Sequence, residues 1–362
     1  MKTITVTAKS GKSRLLINEK LKNLHKYCNI DETIIIMDKN IARLYGNSFN
    51  DFKTIIIDGS EKNKNIETVV NIYKKLLEFS CDRHSFIVGI GGGVVTDITG
   101  FVSSTFLRGI RYAFVPTTLL SQVDAAVGGK NGVNFMEIKN IIGTFSQPDF
   151  VIIDTDVLKT LDKKEFISGI GEIIKCSIIS GGEFFDLLVN NLHNVISEFG
   201  KNLLPENALA WNKEGNLLSY FIEESLKIKA DIVEKDEKEE GLRKVLNFGH
   251  TLAHAIEIAE NIPHGAAVIK GIKFSCDFST KEGFLDIEEN KKITSLLEFT
   301  GVSLSLGIKT EQDKIKETLA HDKKKKGDTI DFIFIKNIGD IFISNIKIEK
   351  VMEAIDDMCI NR

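Results

Sequence analysis

The chain has 362 residues, 43% of them hydrophobic and 27% charged, with a formal net charge of −4, so it is long enough for two domains and has no general attraction to nucleic acid. Its five cysteines, Cys28, Cys81, Cys176, Cys276 and Cys359, are scattered without a CxxC pair, which argues against a disulfide framework and for a reducing cytoplasm. No apolar run approaches the roughly 20 residues that span a bilayer, and the opening MKTITVTAKSGKSRLL lacks a secretory apolar segment.

In chain order, the first half alternates short apolar runs with amphipathic segments. Thr33 to Met37, Thr54 to Ile57, Ser85 to Val88, Tyr112 to Val115 and Val151 to Ile153 have strand length and suit strands buried on both faces of a parallel sheet. Residues 66–79 and 94–107 between them read as helices. From about Lys163 the pattern turns helical, with segments near 163–179, 218–237, 249–260 and 264–282. Strand-like pieces follow at 332–335 and 340–346, and 199–216 reads as an irregular loop. The expectation is a Rossmann-like α/β domain with a mostly parallel sheet over 1–162. A mainly α-helical domain follows over 163–362, with the active site in the interdomain cleft.

Several stretches carry chemistry. Strand 86–88 runs into GIGGGVVTDITG, residues 89–100, where glycines let backbone amides approach a phosphate and the next helix offers its positive N-terminus. The fingerprint G-x-G-x-x-G is only partly met, because Gly89 and Gly91 are followed by Val94. Residues 106–145 set Arg108, Asp124, Lys130, Asn134, Lys139 and Asn140 among glycines and apolar residues, a poor fit to a plain solvated loop. Finally, NFGHTLAHAIE places His250 and His254 four apart on a predicted helix, hence on one face. His264 follows Pro263, so His250 and His264 read as helix starts, where the macrodipole disfavours the imidazolium and leaves the ring free to ligate. Glu172, flanked by Gly169 and Gly171 with Lys175 a turn beyond, is a third candidate; two histidines and a glutamate suit a catalytic zinc site.

Taken together and in order, GGGVVTDITGF, FLRGI, PTTLLSQVDAAVGGKNGVN, KNIIGTF, SGIGEIIK, RKVLNFGHTLAHAIE, HGAAV and HDKKKKG resemble the 3-dehydroquinate synthase family, a branch of the sugar-phosphate cyclases. The resemblance places a divalent metal, Zn2+ or Co2+, on Glu172, His250 and His264. It assigns acid–base roles to His254 and Glu239 and counts Lys175 with them as catalytic. The matching substrate contacts are Arg108, Asp124, Lys130, Asn140, Lys175, Lys229, Arg243, Asn247 and a lysine of the pair Lys323 and Lys324. Those for NAD+ are Asp38, Asn40, Glu61, Lys64, Gly92, Gly93, Val94, Asp97, Thr117, Thr118, Lys139 and Thr160. Ser60, Thr96, Asn131 and Ala266 depart from the family pattern.

The implied activity is conversion of 3-deoxy-D-arabino-heptulosonate 7-phosphate to 3-dehydroquinate and phosphate in the shikimate pathway. It proceeds by transient NAD+-dependent oxidation, β-elimination of phosphate, re-reduction, ring opening and aldol closure. The implied partner is an anionic sugar phosphate, with no nucleic acid or membrane and with a homodimeric, cytoplasmic protein. A cluster of cations in an otherwise acidic chain would focus such a substrate. The run Lys323 to Lys326, without aromatics, reads as a solvated face. Two alternatives are another sugar-phosphate cyclase, differing around Lys130, Asn140 and His254, and a metal-dependent polyol dehydrogenase that would accumulate NADH. A catalytically inactive regulatory homologue is a third.

Overall fold

The computed structural model describes residues 1–136, 138–199, 217–306, 313–319 and 327–360. They form two compact units, Met1–Asp162 with Ile222–Lys238, and Lys163–Phe221 with Glu239–Arg362.

The first unit is built on a seven-stranded sheet. Its strands are β1 (Lys2–Ala8), β2 (Gly11–Ile17), β3 (Thr33–Asp38), β4 (Lys53–Ile57), β5 (Phe86–Gly91), β6 (Arg111–Pro116) and β9 (Phe150–Ile153), in the order β1-β2-β9-β6-β5-β3-β4. Only the β1–β2 pair is antiparallel. Every residue of β5 and β9 is buried, as continuous apolar runs in the middle of a covered parallel sheet require. Helices α1 (Lys39–Tyr45), α2 (Ile66–Glu78) and α3 (Gly93–Thr105) connect the strands. The order reverses between β3 and β5: β3 leads outward to β4, whereas β5 leads to β6 on its other side. In open α/β sheets ligands bind beyond the strand C-termini at such a reversal. Strands β7 (Lys130–Phe135) and β8 (Ile138–Phe145) form a separate antiparallel hairpin.

Helix α6 spans Leu217–Lys235, and from Ile222 onward it belongs to the first unit rather than to the helical one expected from sequence. The reason is tertiary. Glu223 pairs with Lys2, Glu234 accepts from the Thr7 amide, and Glu237 accepts from Ser10 and Gln147. Periodicity shows that a helix exists, but not which core its polar face serves.

The second unit is mainly helical, with α4 (Lys163–Ser180), α5 (Gly182–Glu198), α7 (His250–Glu260), α8 (His264–Lys281) and α9 (Ile287–Glu298). The hairpin β10 (Thr329–Asn337) and β11 (Asp340–Lys347) and a last helix, Ile348–Ile360, complete its described part, and Phe274 and Phe278 of α8 pack against Phe332 and Phe334 of β10. No described helix is long and apolar enough to cross a membrane. Lys323 and Lys324, like residues 200–216 of the expected irregular loop, lie outside the described residues.

Candidate active site

In the second unit, three donors converge from three helices. Glu172 lies in the middle of α4, while His250 and His264 are the first residues of α7 and α8. Gly249 caps α7 in the left-handed region, at φ 80°, and a Cβ there would stand 2.8 Å from the Ile272 nitrogen; only glycine meets both demands cheaply. Gly265, directly after His264, lets α8 lie against α4, because a Cβ would collide with the Ser168 carbonyl.

The Glu172 carboxylate is 1% exposed, and neither oxygen receives a well-aligned hydrogen bond. Its neighbours are the Lys175 ammonium, paired with Oε2, and the Nε2 atoms of His250 and His264, 3.4 and 3.6 Å from Oε1. Ligands about 2.0–2.1 Å from a tetrahedral zinc lie roughly 3.3–3.5 Å from one another. The donors of Glu172, His250 and His264, all within 4.8 Å of one another, therefore fit a small divalent cation, and they form the one such set among the described residues. Outer partners orient both rings: the Phe248 carbonyl lies 3.3 Å from His250 Nδ1, and Glu257 Oε2 lies 3.2 Å from His264 Nδ1.

Burial works against the charged form of Glu172, yet Lys175 and the two imidazoles outweigh it and hold the carboxyl well below its usual range. Burial, reinforced by the Lys175 ammonium, lowers His250. His264 departs from the dipole expectation. Burial alone would lower it, but Glu172 and Glu257 face its two nitrogens and raise it to about 9. Loading a cation there would release that proton.

The ring of His254, one turn beyond His250, lies 5.8 Å from that of His250 and 6.1 Å from that of His264, on an exposed position. Glu239 has a left-handed backbone, φ 62°, and accepts a hydrogen bond from Asn247 Nδ2. Arg243 is buried.

In the first unit, the loops beyond β3, β4, β5 and β6 gather most of the remaining candidates. Gly92 caps α3, followed by Gly93, Val94 and Asp97 in its first turns. Thr117 donates its amide to the Gly91 carbonyl at 2.9 Å, and Thr118 accepts the Ser121 amide. Asp38 caps Asn40 at the start of α1 through Oδ1 and holds Gly59 through Oδ2. Lys64 is buried and reaches both Asp97 Oδ2 and Asn140 Oδ1 at 2.5 Å. Burial raises the Asp97 carboxyl and the Lys64 charge opposes the rise. Lys229 of α6, also buried, donates to the Asp124 carbonyl at 2.7 Å and to its carboxylate. Arg108, Lys130, Lys139 and Thr160 stand exposed; Arg108 follows Leu107 in left-handed backbone, φ 70° and 50°.

The departure at Asn131 has a local use: its Nδ2 meets the Gly129 and Ser146 carbonyls at 3.0 Å and Tyr112 at 3.3 Å. Sequence reasoning passed over Glu257 and gave Asn134 no role. The signal for Glu257 was present, since residues 250, 254 and 257 fall on one helical face.

Family models described as 3-dehydroquinate synthase N-terminal and C-terminal match residues 54–168 and 169–325. A 3-dehydroquinate synthase of Alkaliphilus metalliredigens is 38% identical over 320 residues, covering 86% of this chain and 85% of the relative. Among solved structures, 2-deoxy-scyllo-inosose synthase complexed with carbaglucose-6-phosphate, NAD+ and Co2+ superposes with a TM-score of 0.84 at 22% identity, covering 98% of this chain and 99% of that one. A 2-epi-5-epi-valiolone synthase from Streptomyces hygroscopicus with NAD+ and Zn2+ gives 0.82 at 23%, covering 100% of this chain and 99% of that one.

Proposed function

The chain belongs to the 3-dehydroquinate synthase family, and we propose on that premise that it converts 3-deoxy-D-arabino-heptulosonate 7-phosphate to 3-dehydroquinate and phosphate. The observation that carries this reading is the convergence of Glu172, His250 and His264 beside the buried ammonium of Lys175. These three residues hold a divalent cation, Zn2+ or Co2+, the ions named with the two solved synthases, and the loops beyond β3 to β6 hold the NAD+ named with both. When bound, NAD+ accepts and returns a hydride while the cation polarises a substrate hydroxyl.

The nucleotide contacts are Asp38, Asn40, Glu61, Lys64, Gly92, Gly93, Val94, Asp97, Thr117, Thr118, Lys139 and Thr160. The substrate's phosphate and carboxylate are met by Arg108, Lys130, Lys175, Lys229 and Arg243, whose charges replace solvating water. Lys323 and Lys324, outside the described residues, complete that group. Asp124, Asn140 and Asn247 take its hydroxyls. A ring nitrogen of His254 accepts the proton leaving the oxidised hydroxyl. The Glu239 carboxylate, oriented by Asn247 Nδ2, serves the later proton transfers, and Lys175 Nζ keeps Glu172 ionised.

We further propose a cytoplasmic homodimer acting in aromatic amino-acid biosynthesis. Phe135, Met136, Ile138, Ile141 and Phe145 leave exposed apolar side chains on the β7–β8 hairpin, with Met136 79% exposed, the kind of surface a second copy covers. Phosphate release from the heptulosonate phosphate in the presence of NAD+ and zinc tests the activity. Release from a hexose or heptose phosphate instead would assign the chain to another cyclase reaction.

A further inference from the structure

Asn134, near the end of β7, engages both ends of its side-chain amide and its backbone N–H. Its Nδ2 donates to Glu61 Oε1 at 2.8 Å, its Oδ1 accepts the Asn140 amide at 2.9 Å, and its own amide donates to the Lys64 carbonyl at 2.8 Å. The hairpin register shifts between Val133 and Phe135, so that Asn134 alone faces residues 139–141 of β8. An irregularity of this kind re-aims side chains out of the ladder. Asn140 adopts φ 53°, a left-handed backbone that a non-glycine residue holds at a cost. The bond from Asn134 satisfies its amide in that conformation. The Asn140 side chain then accepts from Lys64 Nζ, which also pairs with Asp97. Glu61, Asn134, Asn140, Lys64 and Asp97 thus form one continuous series.

We propose that Asn134 is a positioning residue that sets the nucleotide-binding Glu61 and the substrate-binding Asn140 in a single fixed geometry. The inference rests on the preceding reading of what those two residues bind. The chemistry singles out asparagine, because donor and acceptor must sit on one short stem. Aspartate has no donor and would oppose Glu61; alanine has neither group.

The test uses the full-length, zinc-loaded protein. In Asn134→Ala the dissociation constant for NAD+, measured without sugar phosphate, and the KM for the heptulosonate phosphate are each expected to rise about tenfold. The kcat, zinc content and melting temperature should change little. Asn134→Asp should weaken NAD+ more than it raises KM, since it keeps the acceptor for Asn140. Adding Glu61→Gln to Asn134→Asp restores a reversed donor–acceptor pair, so NAD+ affinity should exceed the sum of the two single effects. Unchanged constants, strict additivity in that cycle, or losses that follow a lowered melting temperature would overturn the proposal. If the wild type binds NAD+ but leaves the heptulosonate phosphate untouched, the substrate reading falls while the NAD+ cycle still decides the role of Asn134.

Discussion

His250 and His254 stand one helical turn apart on α7, yet their surroundings divide them. His250 Nε2 lies with Glu172 and His264 in the set of donors within 4.8 Å of one another, whereas His254 stands exposed beside it. His264→Ala should therefore lose bound zinc, while His254→Ala retains it and turns over more slowly; equal zinc loss in the two variants would contradict this division. Glu257 sits behind His264 Nδ1. Removing its charge as Glu257→Gln is expected to weaken zinc binding about 10–100-fold, read by competition with a chelator rather than by activity. The one-face spacing of the histidines was visible in the sequence. What Glu257 does was not, because it acts across to α8, where Glu172 and Glu257 together raise His264 against the direction the helix dipole alone would give.

At the scale of elements, legibility followed burial. Strands β3, β5, β6 and β9 are nearly continuous apolar runs and could be read directly. The β7–β8 hairpin could not: β8 is largely exposed, and the pair is rich in asparagine and glycine. Its polar residues signalled ligand contacts without revealing that they lie on strands. The first hairpin was missed for the same reason, since most of β1 faces solvent. Beyond β2, Glu19 accepts from the Lys20 amide at 2.8 Å, from Asn23 Nδ2 at 2.7 Å and from the Tyr27 hydroxyl. Burial pushes its carboxyl up, but the bonds from Asn23, Tyr27 and Lys20 prevail and hold it at about 2, against a usual 4.5. The stability this adds is present above the unfolded value and lost as pH falls through the folded one. The advantage of wild type over Glu19→Gln in urea denaturation should accordingly shrink between about pH 5 and about pH 2; a constant difference across that window would show that the carboxylate charge contributes nothing.

For the molecule as a whole, a sheet followed by helices was readable from periodicity, and the motif order tied the chain to its family. The allegiance of residues 222–238 was not readable, since it depends on contacts with β1 and with Gln147 far away in sequence. Burial also separates the cations. Taken singly, each would pass for a surface charge, but Lys64, Lys175, Lys229 and Arg243 are only 5, 2, 6 and 3% exposed. Such charges are costly to bury without partners, and Lys64, Lys175 and Lys229 meet the carboxylates of Asp97, Glu172 and Asp124; on the proposed reading the same cations also meet an anionic substrate and nucleotide. The central claim is a reaction that uses NAD+ without net oxidation. Following phosphate release and nicotinamide absorbance together, with the heptulosonate phosphate as substrate, tests it directly. Phosphate and 3-dehydroquinate should appear in equal amounts with no accumulation of NADH. NADH rising in step with substrate consumption, without phosphate release, would contradict it.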